Sequence, residues 1–289
     1  MARMLRVPAR AQILLAALLI STAGTVIKAL TLTNWQIASL RSGIAAVVLT
    51  MGVGRVRGFS RSTLVVGVAY ATMMITFVSA NKLTTAANTV FLQGTAPLYI
   101  ALLGPWILKE HVRRRDMPVL AAIACGMLLL FAGGARPSAT APNRAVGNAV
   151  GVVSGFCWCL TVIGLRWVEK RAPSARGNAA GAAAITGNVI VCLACLPLAW
   201  PISHTAVPDL AGVAYLGIFQ VGLAFLLLTR AIQHVPAVDT SLLLLVEPAL
   251  SPLWAWIVHR EAPGFWPLMG GALIISASAW KTWRNAGAR

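Results

Sequence analysis

Ten runs of apolar residues, each about the length that crosses a bilayer as a helix, follow one another along the chain. They fall at Ala11–Leu30, Trp35–Gly52, Ser62–Ala80, Thr85–Leu108, Met117–Gly134, Ala145–Trp167, Asn178–Ala199, Leu210–Ala231, Val238–Val258 and Phe265–Trp280. Short polar or Gly- and Pro-rich connections separate them, so consecutive runs are predicted to be antiparallel neighbours. Within lipid only helices and closed barrels satisfy every backbone N–H and C=O. The runs are continuous rather than alternating, which selects helices. The fold class expected is an all-α membrane protein with ten transmembrane helices.

A shift of 151 residues lays part of the chain on itself without gaps. Ala80 falls on Ala231, Ala86 on Ala237, Thr89 on Thr240, Pro97 on Pro248, Leu102 on Leu253 and Glu110 on Glu261. A weaker match sets Lys28 on Arg166. The repeat unit is five spans, residues 1–137 and then 138–289. Because five is odd, the second copy enters the membrane from the opposite side. Two inverted five-helix repeats are the architecture of many secondary transporters, whose substrate site lies near the midplane between the halves.

Charge changes the picture in one respect, orientation. Charged residues are 11% of the 289, against 58% apolar, and the formal net charge is +17. The basic residues do not form a face with interleaved aromatics, so nucleic acid is not an expected partner. They cluster between spans, as in Arg55/Arg57/Arg61, Lys109/Arg113/Arg114/Arg115 and Lys170/Arg171/Arg176. With the N-terminus inside, eighteen Lys and Arg residues fall in inner segments and five in outer ones. Both termini are therefore expected in the cytoplasm, with the first apolar run kept as an uncleaved helix.

Seven acidic residues are present, and only Glu247 falls near the middle of a span. A charged carboxylate there is costly by several kcal/mol, so it calls for a partner, a proton or a wet cavity. Arg41 is the candidate counter-charge and a candidate clamp for a substrate carboxylate. It stands one or two turns inside its helix, where snorkelling or pairing with a loop acid is an equal expectation. Pro97 and Pro248 each remove a helical hydrogen bond, free the carbonyls of Gln93 and Leu244, and kink their spans, which suits gating around a cavity. Tyr99, Trp158, Gln93 and Ser251 complete the expected substrate-binding set. Asn81, Asn88, Thr186, Asn188 and Gln220 are further neutral polar groups on spans.

No enzyme is expected: His111, His204, His234 and His259 stand at or beyond helix ends, and neither an acid pair nor a triad is available. No metal set, cofactor site or phosphate-binding glycine loop is evident, nor is a coupling-ion site. Cys125, Cys157, Cys159, Cys192 and Cys195 lie inside apolar runs and are read as packing residues.

Certain residues together resemble a known group. They are Lys28 closing the first helix, Arg41 early in the second, and the Thr95-Ala96-Pro97-Leu98-Tyr99 stretch ending at Lys109-Glu110. The second half supplies Trp158, Glu247-Pro248 and His259-Arg260-Glu261. In these features the chain is similar to the drug/metabolite transporter superfamily, and specifically to its ten-helix EamA-type exporters, over about residues 11–284. Ile20 replaces the tryptophan usual early in helix one, at the place where Trp158 stands in the second half. The resemblance implies export of amino acids, aromatic and hydrophobic ones included, or of related metabolites across a bacterial-type inner membrane. The inverted repeat favours alternating access as the mechanism, and a monomer is the expected state, with a homodimer as its alternative. Efflux of cationic drugs is the alternative function, and a channel or receptor the second alternative.

Overall fold

A computed structural model describes residues 7–53, 60–110, 114–132, 142–171, 178–202 and 206–259, with 265, 266, 269, 270, 272, 273, 276, 277, 280 and 284. Eight helices are long and apolar enough to cross a membrane. They are α1 (Ala9–Ala29), α2 (Asn34–Val53), α3 (Arg61–Leu83), α4 (Ala86–Ile107), α6 (Arg144–Arg171), α7 (Ala179–Ala199), α8 (Val207–Ala231) and α9 (Ala237–Val258). Between α4 and α6 runs α5 (Met117–Ala132), of which Met117–Gly126 forms a shorter apolar helix. The tenth expected span, Phe265–Trp280, lies largely outside the described residues, and those described within it are helical. No strand occurs among the described residues. The expected boundary at 137/138 and the Arg260-Glu261 pair also lie outside them.

Helix starts are written locally. Ser60 and Thr63 form a reciprocal capping box on α3, with each backbone N–H bound by the other's hydroxyl at 3.2 and 2.7 Å. Thr85 caps α4 by accepting from the Asn88 N–H at 3.1 Å. Asn178 accepts from the Gly181 N–H at 2.8 Å to start α7.

Three helices depart from regularity. Helix α1 breaks at Thr22. Helix α4 is interrupted at Gly94–Thr95 and α9 at Leu245, so Pro97 and Pro248 each sit just inside a new helical segment. The two breaks are one shift of 151 apart, as are the ends of α4 and α9. Helix α8 carries an eight-residue π stretch, Leu216–Leu223.

The halves interlock by a pseudo-two-fold relation. If α6 to α9 repeat α1 to α4, each contact between halves has its mirror. Helix α3 packs on α6 as α1 does on α8, α3 on α7 as α2 on α8, and α4 on α6 as α1 on α9. The remaining large contacts, α2 with α7 and α4 with α9, join equivalent helices. These equivalents run antiparallel: Gln36 reaches the Ala199 carbonyl, Ser39 the Cys192 carbonyl, and Val53 lies beside Gly181. The repeat is therefore inverted.

Glycine permits the closest approaches. A Cβ on Gly155 of α6 would stand 2.4 Å from the Leu92 carbonyl oxygen at the α4 break, and one on Gly187 of α7 would stand 2.4 Å from the Tyr70 ring. The outside is apolar, with Val65, Leu102, Trp106, Leu193 and Val207 all exposed. An apolar exterior around a core holding buried Arg41 and Glu247 is the pattern of a protein dissolved in lipid.

Candidate functional site

Arg41 is the eighth residue of α2 and is 0% exposed. It does not snorkel, and its partners are not loop acids. One terminal nitrogen donates to the Gln220 amide oxygen at 3.3 Å and the other to the Met74 sulfur at 3.1 Å, while Nε has no partner among the described residues. Local packing explains the placement. Gln220 belongs to the π stretch of α8, and Gly217 in that stretch lies so close that a Cβ would be 2.9 Å from the Arg41 carbonyl oxygen. Helices α2 and α8 thus meet at backbone distance, which brings Gln220 alongside the guanidinium.

Glu247 stands two residues past the break in α9 and is 4% exposed, with Oε1 unpartnered among the described residues. It shares with Arg41 a small cavity. The polar part of its wall is Arg41, Gln93, Gln220 and Glu247, and the apolar part is Ile20, Met73, Met74, Phe77, Trp158 and Phe225. None of these is more than 7% exposed. No ion pair joins Arg41 to Glu247 among the described residues.

The wall is rigidly supported. Gln93 donates to the Ser154 hydroxyl at 3.2 Å, and Ser154 donates to the Met73 carbonyl at 3.3 Å, which links α4, α6 and α3. Phe225 takes Trp158 and Tyr70 edge-on at 5.9 and 4.8 Å, and Asn188 donates to the Tyr70 hydroxyl at 2.8 Å. Ile20 and Trp158, which occupy matching places in the two halves, both face the cavity.

A second small space opens where α4 and α9 cross, lined by both helix breaks and by Pro97, Pro248 and Ser241. Gln93, Trp158 and Glu247 border both spaces. Of the residues expected to bind substrate, the structure thus gathers Arg41, Gln93, Trp158 and Glu247. Tyr99 and Ser251 line neither space. Tyr99 is half-buried, with its ring edge-on to Phe156 at 5.7 Å, and Ser251 is buried with its hydroxyl unpartnered among the described residues. Met73, Met74, Phe77 and Phe225 also form the wall, and nothing in the sequence marks them out. Their apolar side chains look like any other lipid-span residue until helices α3 and α8 are placed.

A separate polar cluster closes one end of the bundle. Glu110, beyond α4, accepts from Arg166 Nε at 3.1 Å, Lys170 Nζ at 2.6 Å and the Ala237 N–H at 3.0 Å. Arg166 also donates to the carbonyls of Ile232 and Gln233. Burial alone would raise the Glu110 carboxyl, but the bonds from Lys170, Ala237 and Arg166 outweigh it and hold the group below its ordinary value. At the equivalent place in the first half, Lys28 donates to the Thr84 carbonyl at 2.9 Å. Among the described residues no three His, Cys, Asp or Glu side chains come together as a metal site.

Comparison with known proteins agrees with this architecture. Residues 9–132 and 145–281 each match the EamA-like transporter family. A Bacillus subtilis protein described as the uncharacterised transporter YyaM is 23% identical over 197 residues, 67% of this chain; the match spans 63% of that protein's length. A solved structure, titled only as the crystal structure of a protein, superposes with a TM-score of 0.74 at 21% identity, covering 95% of this chain and 96% of the other. That likeness shows the fold.

Proposed function

We propose, for a chain that belongs to the EamA-like transporter family and is thereby a multi-pass membrane transporter, that its cargo is amino acids. The observation that carries this reading is Arg41 and Glu247 in one cavity. They are a basic and an acidic side chain, buried to 0% and 4% exposure, with no ion pair between them. Buried charges left apart are costly, and a zwitterion satisfies both, its carboxylate on the guanidinium and its ammonium on the carboxylate. Phe77, Trp158, Phe225 and the two methionines offer the side chain an adaptable apolar wall. Aromatic and hydrophobic amino acids fit it best.

The inverted halves and the nearly unexposed cavity support alternating access, in which the halves rock around a central site. The basic-residue distribution supports an inner-membrane location with both termini cytoplasmic and ten spans in all. Thiol labelling from the periplasm is expected at positions 138 and 205 and absent at 58 and 173, four positions that lie outside the described residues. Transport itself is tested with purified protein in liposomes loaded with an amino acid. Saturable efflux with counterflow is the expected result; a channel would neither saturate in this way nor counterflow.

A further inference from the structure

The second space, between α4 and α9, has a different chemistry from the first. Arg41 does not border it, and among the described residues Glu247 is the one acid or base that does. Pro97 and Pro248 lack an N–H, so the carbonyls four residues earlier, on Gln93 and Leu244, have no helical donor. Both of those residues line the space. They are also the last residues of the helical segments Ala86–Gln93 and Ala237–Leu244, where backbone dipoles leave partial negative charge. Ser241 donates its proton to the Val238 carbonyl at 2.8 Å, which leaves its oxygen lone pairs available. Glu247, whose buried Oε1 has no partner among the described residues, borders the same gap.

One carboxylate among neutral oxygens at broken helices is a setting that stabilises a small cation. We propose that this gap binds one partly dehydrated monovalent cation, with Glu247 as its counter-charge and oxygens of Gln93, Ser241 and Leu244 as neutral ligands. The single acid sets the valence, because tight divalent sites call on several carboxylates. The same Glu247 also borders the substrate cavity. Cation and substrate ammonium therefore exclude each other, and the transporter exchanges one for the other; this exchange, unlike the cation site itself, rests on the amino-acid reading above.

The test uses the purified full chain without substrate, at fixed alkaline pH and constant ionic strength, in sodium, potassium or choline chloride. Sodium or potassium is expected to raise the thermal midpoint saturably over choline, by about 2 °C or more. Ser241→Ala is expected to raise the concentration needed several-fold, and Glu247→Gln to remove the effect. Equal midpoints for the unmodified chain in all three salts overturn the site. Because no substrate is present, a null result leaves amino-acid transport standing. A cation response without amino-acid flux removes the amino-acid reading instead.

Discussion

The guanidinium of Arg41 on α2 donates to the amide oxygen of Gln220 on α8 at 3.3 Å, joining the first half of the molecule to the second inside the membrane. Hydrogen bonds to charged groups contribute about 1.5–3 kcal/mol, so loss of the guanidinium is expected to raise KM for an amino acid roughly 10- to 100-fold. Arg41→Lys keeps the charge but not the fork, and recovers only part of this. Gln220→Ala is expected to act more mildly, raising KM several-fold. Initial rates of efflux over a range of internal concentrations measure both.

Glu110 offers a pH prediction at the other polar cluster. Its carboxyl is held below the ordinary value in the fold, so the stability it contributes is present above the unfolded value near 4.3 and is lost as pH falls through the folded value. Glu110→Gln is expected to lower the thermal midpoint at neutral pH by a few degrees, since a partly solvent-screened ion cluster contributes about 1 kcal/mol. The gap between the two proteins should close as the buffer is taken below about pH 4. Thermal unfolding of both proteins across pH checks this, and a gap that persists in acid contradicts it.

Two glycines should respond oppositely to the same change. A methyl on Gly155 would press on the Leu92 backbone, so Gly155→Ala is expected to cost about 1–3 kcal/mol. The nearest atoms to a Cβ on Gly104 are 4.0 Å away, and Gly104→Ala should be neutral or slightly stabilising. Thermal midpoints of the two variants decide it.

Pro248→Ala restores the donor that Leu244 lacks. It is expected to leave the fold intact, or to raise its melting point, while slowing turnover more than it changes KM, because a continuous α9 rocks less readily around the site. The comparison is kcat and KM for efflux beside a thermal midpoint.

Much of this was legible in the sequence because lipid imposes a coarse rule, one apolar run per span, and because a duplication leaves an arithmetic trace. The shift of 151 anticipates both the equal ends of α4 and α9 and their matched breaks. Glu247 was visible as the lone midspan acid. Arg41 was visible as a basic residue inside a span, but its burial was not, since that depends on the π stretch of α8 and the backbone approach at Gly217. Tyr99 illustrates the opposite failure. It follows Pro97 by two residues, yet the side chain leaves the break on the face of α4 that meets Phe156. Which face a helical residue presents is a matter of helix rotation, and uniformly apolar spans carry little rotational signal. Phe225 and Met73 were hidden for the same reason.

The pairing of one zwitterion with Arg41 and Glu247 is tested most directly by flux of three related compounds from liposomes containing the transporter. These are phenylalanine, its methyl ester, which lacks the carboxylate, and its N-acetyl derivative, which lacks the ammonium. The account predicts saturable efflux of phenylalanine above that of protein-free vesicles and no carrier-dependent efflux of either derivative. It also predicts that Glu247→Gln reduces phenylalanine flux by about tenfold or more. Phenylalanine leaving no faster than from protein-free vesicles, while a cationic drug does exit through the carrier, would contradict it and establish drug efflux in its place.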